Sequence, residues 1–151
     1  MSLRTALAFC LALFVAPPAI AATKNLPAIE VWKSPTCGCC GKWVEHLEAN
    51  GFEVKANSAT SSTLQRIKKQ AGITEKIASC HTAKIDGYVI EGHVPAADIK
   101  RLVSEHPDAI GLTVPDMPIG SPGMEQPGGE TEPYDVLLLK KDGGLEVFAR
   151  H

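Results

Sequence analysis

Three thiols fall within four residues at Cys37-Gly38-Cys39-Cys40. A thiolate is either a nucleophile or a ligand for soft metals, and the spacing bears on which. Cys37 and Cys40 form a C-x-x-C pair, the arrangement of a thiol–disulfide oxidoreductase in which Cys37 attacks and Cys40 resolves. Cys39 fits that chemistry poorly, because a third thiol beside a redox pair invites the wrong disulfide. Zinc is a further option, with Cys37, Cys40, Cys80 and His81 as four ligands. That spacing matches no common zinc motif, and adjacent Cys39 and Cys40 are hard to fit around one tetrahedral ion. Bridging thiolates in a polynuclear Cu(I) site accommodate both.

Other soft donors lie further along. Apart from the initiator, the methionines are Met117 and Met124, both in a Pro/Gly-rich stretch. Alone, each reads as a hydrophobic peg for that stretch. Beside four thiols they read as thioether caps, since thiolates and thioethers together select Cu(I). Cys80 is either a small buried hydrophobe or a fourth sulfur. His81 is either a hydrogen-bonded imidazole or an additional ligand, and is a weaker candidate than Cys80. His46 reads as solvated on the outer face of a helix, His93 is open, and His106 and His151 have no neighbouring constellation. The sequence carries no phosphate loop, serine triad or paired-carboxylate signature.

The elements that must position these residues follow from periodicity. Ala28 to Lys33 reads as a strand, and the cysteine turn leads into a helix with an apolar stripe at Trp43, Val44 and Leu47, stopped by Asn50-Gly51. The thiols then sit at a strand-to-helix turn, where free N–H groups and the helix dipole favour a thiolate. Phe52 to Ala56 alternates as a second strand. A second helix capped by Ser61 or Ser62 runs through Leu64 and Ile67 to Gly72. Thr82 to Ile85 and Tyr88 to Ile90 flank Asp86-Gly87, a strong hairpin signal. Pro95 opens a third helix ending near Glu105. The order β-α-β-α-β-β-α is that of an α/β, thioredoxin-like fold, and the turn before its third strand brings Cys80 toward Cys37 and Cys40. Residues Gly111 to Pro133 are too rich in proline and glycine for regular structure, and so long a loop is expected to be functional. Tyr134 to Lys140 and Leu145 to Ala149 read as a C-terminal β-hairpin extending or covering the sheet edge.

The chain of 151 residues begins with a basic lead, an apolar run from Thr5 to Ala16 and small residues at Ala19 and Ala21. That is the layout of a secretory signal, too short to span a bilayer, so residues 1–21 are expected to be removed and 22–151 to form one domain. Cys10 would leave with the signal. The remaining chain has 14 bases against 17 acids, a formal charge of −3, which points away from nucleic acid and from anionic membrane surfaces. Export implies an oxidising compartment, in which crowded cysteines argue for a chemical site over a disulfide framework.

The chain resembles the bacterial periplasmic copper-resistance family called CopG, long described as a domain of unknown function. The resemblance is carried by Lys33-Ser34-Pro35-Thr36-Cys37-Gly38-Cys39-Cys40, by Ser79-Cys80-His81-Thr82 with Asp86 to Pro95, and by Met117-Pro118-Ile119-Gly120-Ser121-Pro122-Gly123-Met124-Glu125. It implies a thioredoxin-like fold, several copper ions bound by cysteine thiolates, and interconversion of Cu(I) and Cu(II). On this sequence the implied ligands are Cys37, Cys39, Cys40 and Cys80, with Met117, Met124 and His81 as additional ones. Copper exporters or chaperones of the periplasm are the partners such a role implies. Metal binding is expected ahead of catalytic turnover. The thioredoxin layout also puts His81 where such folds usually carry a proline that keeps metals off the thiol pair.

Overall fold

The structure, a computed structural model, describes residues 26–151; the signal segment assigned to residues 1–21, with Cys10, lies outside them. Strand β1 (Ile29–Lys33) runs into helix α1 (Gly38–Ala49), strand β2 (Val54–Ser58) and helix α2 (Ser61–Gln70). A 3₁₀ turn at Glu75–Ile77 precedes the hairpin β3 (Thr82–Ile85) and β4 (Tyr88–Glu91), and helix α3 (Ala96–Glu105) follows. This is the expected β-α-β-α-β-β-α order. Three further strands complete the chain: β5 (Ala109–Thr113), β6 (Asp135–Lys140) and β7 (Leu145–Arg150).

All seven strands form one sheet in the order β2-β1-β3-β4-β5-β6-β7. The pairs β1/β2 and β4/β5 are parallel and the others antiparallel. Trp43 and Leu47 of α1, with Ile99 and Leu102 of α3, bury one face against Ile29, Val31, Ala83, Ile85, Ile90 and Leu112. On the other face Ile73, Ile77, Val89 and Leu139 form a smaller cluster. Neighbours Val89 and Ile90 point to opposite clusters, as the two-residue period of a strand requires.

Some expectations change. Gly111 to Thr113 are not loop: Ala109–Thr113 pairs in parallel with β4 and antiparallel with β6, so the irregular segment begins only at Val114. The apolar run Ile110 to Val114 outweighs the single glycine once β4 offers an edge, and Pro115 ends the pairing. The terminal hairpin extends the sheet beyond β5. Pro95 is the N-cap of α3, one residue outside the helix, and Thr60 caps α2 through its side chain.

Three strand ends meet at one place. Lys33 closes β1, Thr82 opens β3 opposite Trp32, and Glu91 closes β4 opposite Thr82. The segments leaving those ends carry Cys37 to Cys40, Cys80-His81 and His93.

Candidate metal centre

Cys37 is the N-cap of α1, and its Sγ accepts the Cys40 N–H at 3.3 Å. That seats Cys39 and Cys40 in the first helical turn. Cys37 and Cys40 are joined in a disulfide, while Cys39 and Cys80 are free. Cys40 is fully buried and the other three sulfurs are half-buried. Cys39 Sγ lies 3.5 Å from Cys37 Sγ, and Cys80 Sγ lies 3.3 Å from Cys40 Sγ. All four sulfurs are within 4.8 Å of one another. The helix start and the approach to β3 thus concentrate them despite the forty-residue separation of Cys40 and Cys80.

Cys80 belongs to a second group with His81 and His93. His93 Nε2 is 3.2 Å from Cys80 Sγ, and His81 Nδ1 is 3.3 Å from it. The other nitrogen of His93, Nδ1, faces the Pro122 carbonyl at 2.8 Å and donates to it. This leaves the Nε2 lone pair aimed at the sulfur, with a backbone carbonyl fixing the ring as carbonyls commonly do behind metal-bound imidazoles. Both rings are fully buried, and His81 packs on Trp43 with ring centroids 4.3 Å apart.

Burial sets the protonation of this group. It pushes the Cys80 thiol up to about 11, and the neighbouring Cys39 sulfur adds to the rise. Burial likewise holds His81 well below the usual imidazole value, with the His93 and Lys68 charges acting in the same direction. His93 is also depressed by burial. In the metal-free protein the sulfur therefore keeps its proton at neutral pH and both imidazoles are neutral. A soft cation would take the place of the thiol proton.

The frame behind Cys80 is polar and closed. Glu91, fully buried, accepts the Ser79 N–H at 2.7 Å and the Thr82 hydroxyl at 2.7 Å, and pairs with the Lys68 ammonium. Burial raises the Glu91 carboxyl, and Lys68 opposes the rise. The Ser79 hydroxyl donates to the Asp116 carbonyl, which anchors the long loop beside Cys80.

The loop returns across the cysteine turn. Gly123 has φ +87°, and a Cβ there would lie 2.7 Å from the Cys39 carbonyl oxygen and 2.8 Å from the Trp43 nitrogen. Met124, half-buried, follows directly, and Met117 is 47 % exposed, so Met117 is not the buried peg of the simpler reading. His46 departs from the solvated role expected of it. Its half-buried ring accepts the Ala96 N–H at 3.1 Å and so caps α3. His151 also has a partner, Asp98, at 2.8 Å.

The donors brought together are thus Cys37, Cys39, Cys40, Cys80, His81 and His93. The sequence reading left His93 open, yet a signal for it was present. A two-residue Asp86-Gly87 turn pairs Ile85 with Tyr88 and Thr82 with Glu91; carrying that register two residues on sets Cys80 opposite His93.

Comparison with known proteins gives a consistent result. A family model described as a protein of unknown function, DUF411, matches residues 77–124, which hold Cys80, His81, His93 and both methionines. Two solved structures, Copper resistance protein copG in Form 1 and in Form 2, are each 44 % identical to this chain. Each match covers 83 % of this chain and 98 % of the solved one, with a TM-score of 0.77. No curated protein matches.

Proposed function

The chain belongs to the CopG family of copper resistance proteins, and from that premise we propose that it binds copper as Cu(I) through bridging cysteine thiolates, more than one ion at a time. The observation that carries this reading is the gathering of four sulfurs within 4.8 Å of one another. Thiolates are the donors Cu(I) prefers, and bridging between ions accommodates the adjacent Cys39 and Cys40, which are hard to fit around one tetrahedral zinc. Cys37, Cys39 and Cys40 form the core, Cys80 closes it, and His93 adds a nitrogen donor. Met117 and Met124 supply weaker thioether contacts from the loop.

The site is sensitive to thiol oxidation. With Cys37 and Cys40 joined, Cys39 and Cys80 are the two thiols left to become thiolates, and reduction returns all four. Copper capacity and thiol redox state are therefore linked. Imidazole beside thiolate also makes a donor set that tolerates Cu(II), which supports interconversion of the two copper states. The working compartment is the periplasm, reached by removal of residues 1–21, in the service of copper resistance. No helix among the described residues is long and apolar enough to cross a membrane.

The disulfide itself favours a second reading, a thiol–disulfide oxidoreductase using Cys37 and Cys40. One experiment separates the two. The chain from residue 22 is reduced, titrated with Cu(I) under anaerobic conditions and weighed by native mass spectrometry. Two or more tightly held copper ions support the thiolate cluster. No copper, with rapid turnover of a disulfide substrate, favours the oxidoreductase.

A further inference from the structure

His81 and His93 both touch the Cys80 sulfur, but they meet it with different atoms and different surroundings. His93 has its Nδ1–H committed to the Pro122 carbonyl at 2.8 Å, so Nε2 is bare toward Cys80. A thiol has one hydrogen to give. With a lone pair waiting 3.2 Å away at His93 Nε2, that hydrogen goes there. The remaining sulfur lone pairs then face His81 Nδ1 at 3.3 Å.

This fixes the proton on His81. Its Nε2 is the one buried side-chain nitrogen or oxygen among the described residues without a hydrogen-bond partner. Were Nε2 protonated, a buried N–H would have no acceptor and the bare Nδ1 would oppose the lone pairs of the sulfur. Both are unfavourable. With the proton on Nδ1, that N–H donates to sulfur and only a bare lone pair is left unmatched, the milder defect. The result is a one-way chain: His81 Nδ1–H to Cys80 Sγ, the thiol hydrogen to His93 Nε2, His93 Nδ1–H to the Pro122 carbonyl.

We propose that His81 is a positioning residue for the copper site and not a ligand: its Nδ1–H is a fixed donor to the Cys80 sulfur, while His93 Nε2 and that sulfur take the metal. The proposal rests on the copper reading above and divides the labour within it. A cation entering between Cys80 and His93 replaces the thiol hydrogen and leaves the His81 N–H where it was. The ring of His93 is held from behind by the Pro122 carbonyl, as a ligand's is, whereas His81 Nε2 has no hydrogen-bond partner. Packed on Trp43, its ring is held in place without one. A donor to a metal-bound thiolate withdraws charge from sulfur and so favours Cu(I) over Cu(II); hydrogen bonding around such sulfurs is a recognised means of setting copper potentials.

The test is long-range proton–nitrogen NMR of the imidazoles in the metal-free chain, then with Cu(I) added, alongside His81→Phe and His81→Asn variants. Asn can present an N–H near the Nδ1 position, whereas Phe keeps the packing on Trp43 without a donor. Expected are a protonated Nδ1 on both histidines without metal, and a large Cu(I)-induced shift at His93 Nε2 with the His81 Nδ1–H retained. His81→Phe should bind as many copper ions as the parent but with a lower midpoint potential, and His81→Asn should move that potential back toward the parent. A proton on His81 Nε2 in the metal-free chain, its loss from Nδ1 on adding Cu(I), or one copper fewer in His81→Phe overturns the proposal. If His81→Phe does not fold, the NMR of the parent decides alone. A parent chain that takes up no Cu(I) overturns the copper reading, while the metal-free tautomer still decides the hydrogen bond from His81 to Cys80.

Discussion

Cys80 Sγ and His93 Nε2 stand 3.2 Å apart because a two-residue hairpin turn sets their segments in register. Neither residue lies in a regular strand, but both continue the register of the β3/β4 ladder. The Gly92 N–H donates to the His81 carbonyl at 3.1 Å and continues the ladder toward them. The hairpin thus supplies Cys80 with His93, and the start of α1 supplies the other three sulfurs.

His93→Ala removes the oriented nitrogen and leaves the four sulfurs. Copper affinity should fall by at least about 10-fold, the lower end of what losing an orienting partner of a ligand does. Competition with a Cu(I) chelator measures it. Unchanged affinity would place His93 outside the site.

Cys39→Ser separates cluster from redox pair. Cys39 is free and lies 3.5 Å from Cys37 Sγ, so it can bridge ions but is not part of the disulfide. The variant should lose at least one copper ion by native mass spectrometry while keeping the Cys37–Cys40 disulfide on oxidation.

Gly123→Ala tests the loop. Its positive φ and the 2.7 Å approach to the Cys39 carbonyl leave no room for a methyl group. The substitution should destabilise the protein by roughly 1–3 kcal/mol, seen in thermal or urea melts, and should weaken copper binding by displacing Pro122 and Met124. Gly129→Ala, also at positive φ but with open space around it, should affect stability alone.

Metal-free stability should fall at both ends of the pH range. Burial depresses His81, His93 and His46, so below about 6.5 the unfolded chain binds protons that the folded chain refuses, and stability drops as pH falls. Cys80 is raised from 9.0 to about 11, so between those values the folded chain keeps a proton that the unfolded chain gives up. Stability therefore drops again as pH rises through that window. Urea midpoints across pH, repeated with Cys80→Ala, check the alkaline limb, which should flatten in the variant.

Much of this was legible in the residues and some was not. Periodicity and caps place the three helices and the first four strands, because each carries its own apolar stripe or turn signal. Strand β5 was hidden because Gly111 and Pro115 read as local punctuation, whereas its pairing depends on the edge that β4 presents. The sulfur cluster followed from the thioredoxin-like element order, which sets the turn before the third strand, and Cys80 with it, against the cysteine turn. His93 was recoverable from register arithmetic, but a histidine after glycine looks ordinary until its cross-strand partner is counted. The cap that His46 makes on α3 depends on packing between two helices, which no local pattern records.

The most direct measurement is X-ray absorption at the copper edge on the reduced chain loaded with Cu(I). A first shell dominated by sulfur, with a copper–copper shell beyond it, is the result expected of ions bridged by these thiolates. A single shell of nitrogen and oxygen with no copper neighbour would contradict the account, because copper would then be held away from the sulfurs gathered at the start of α1.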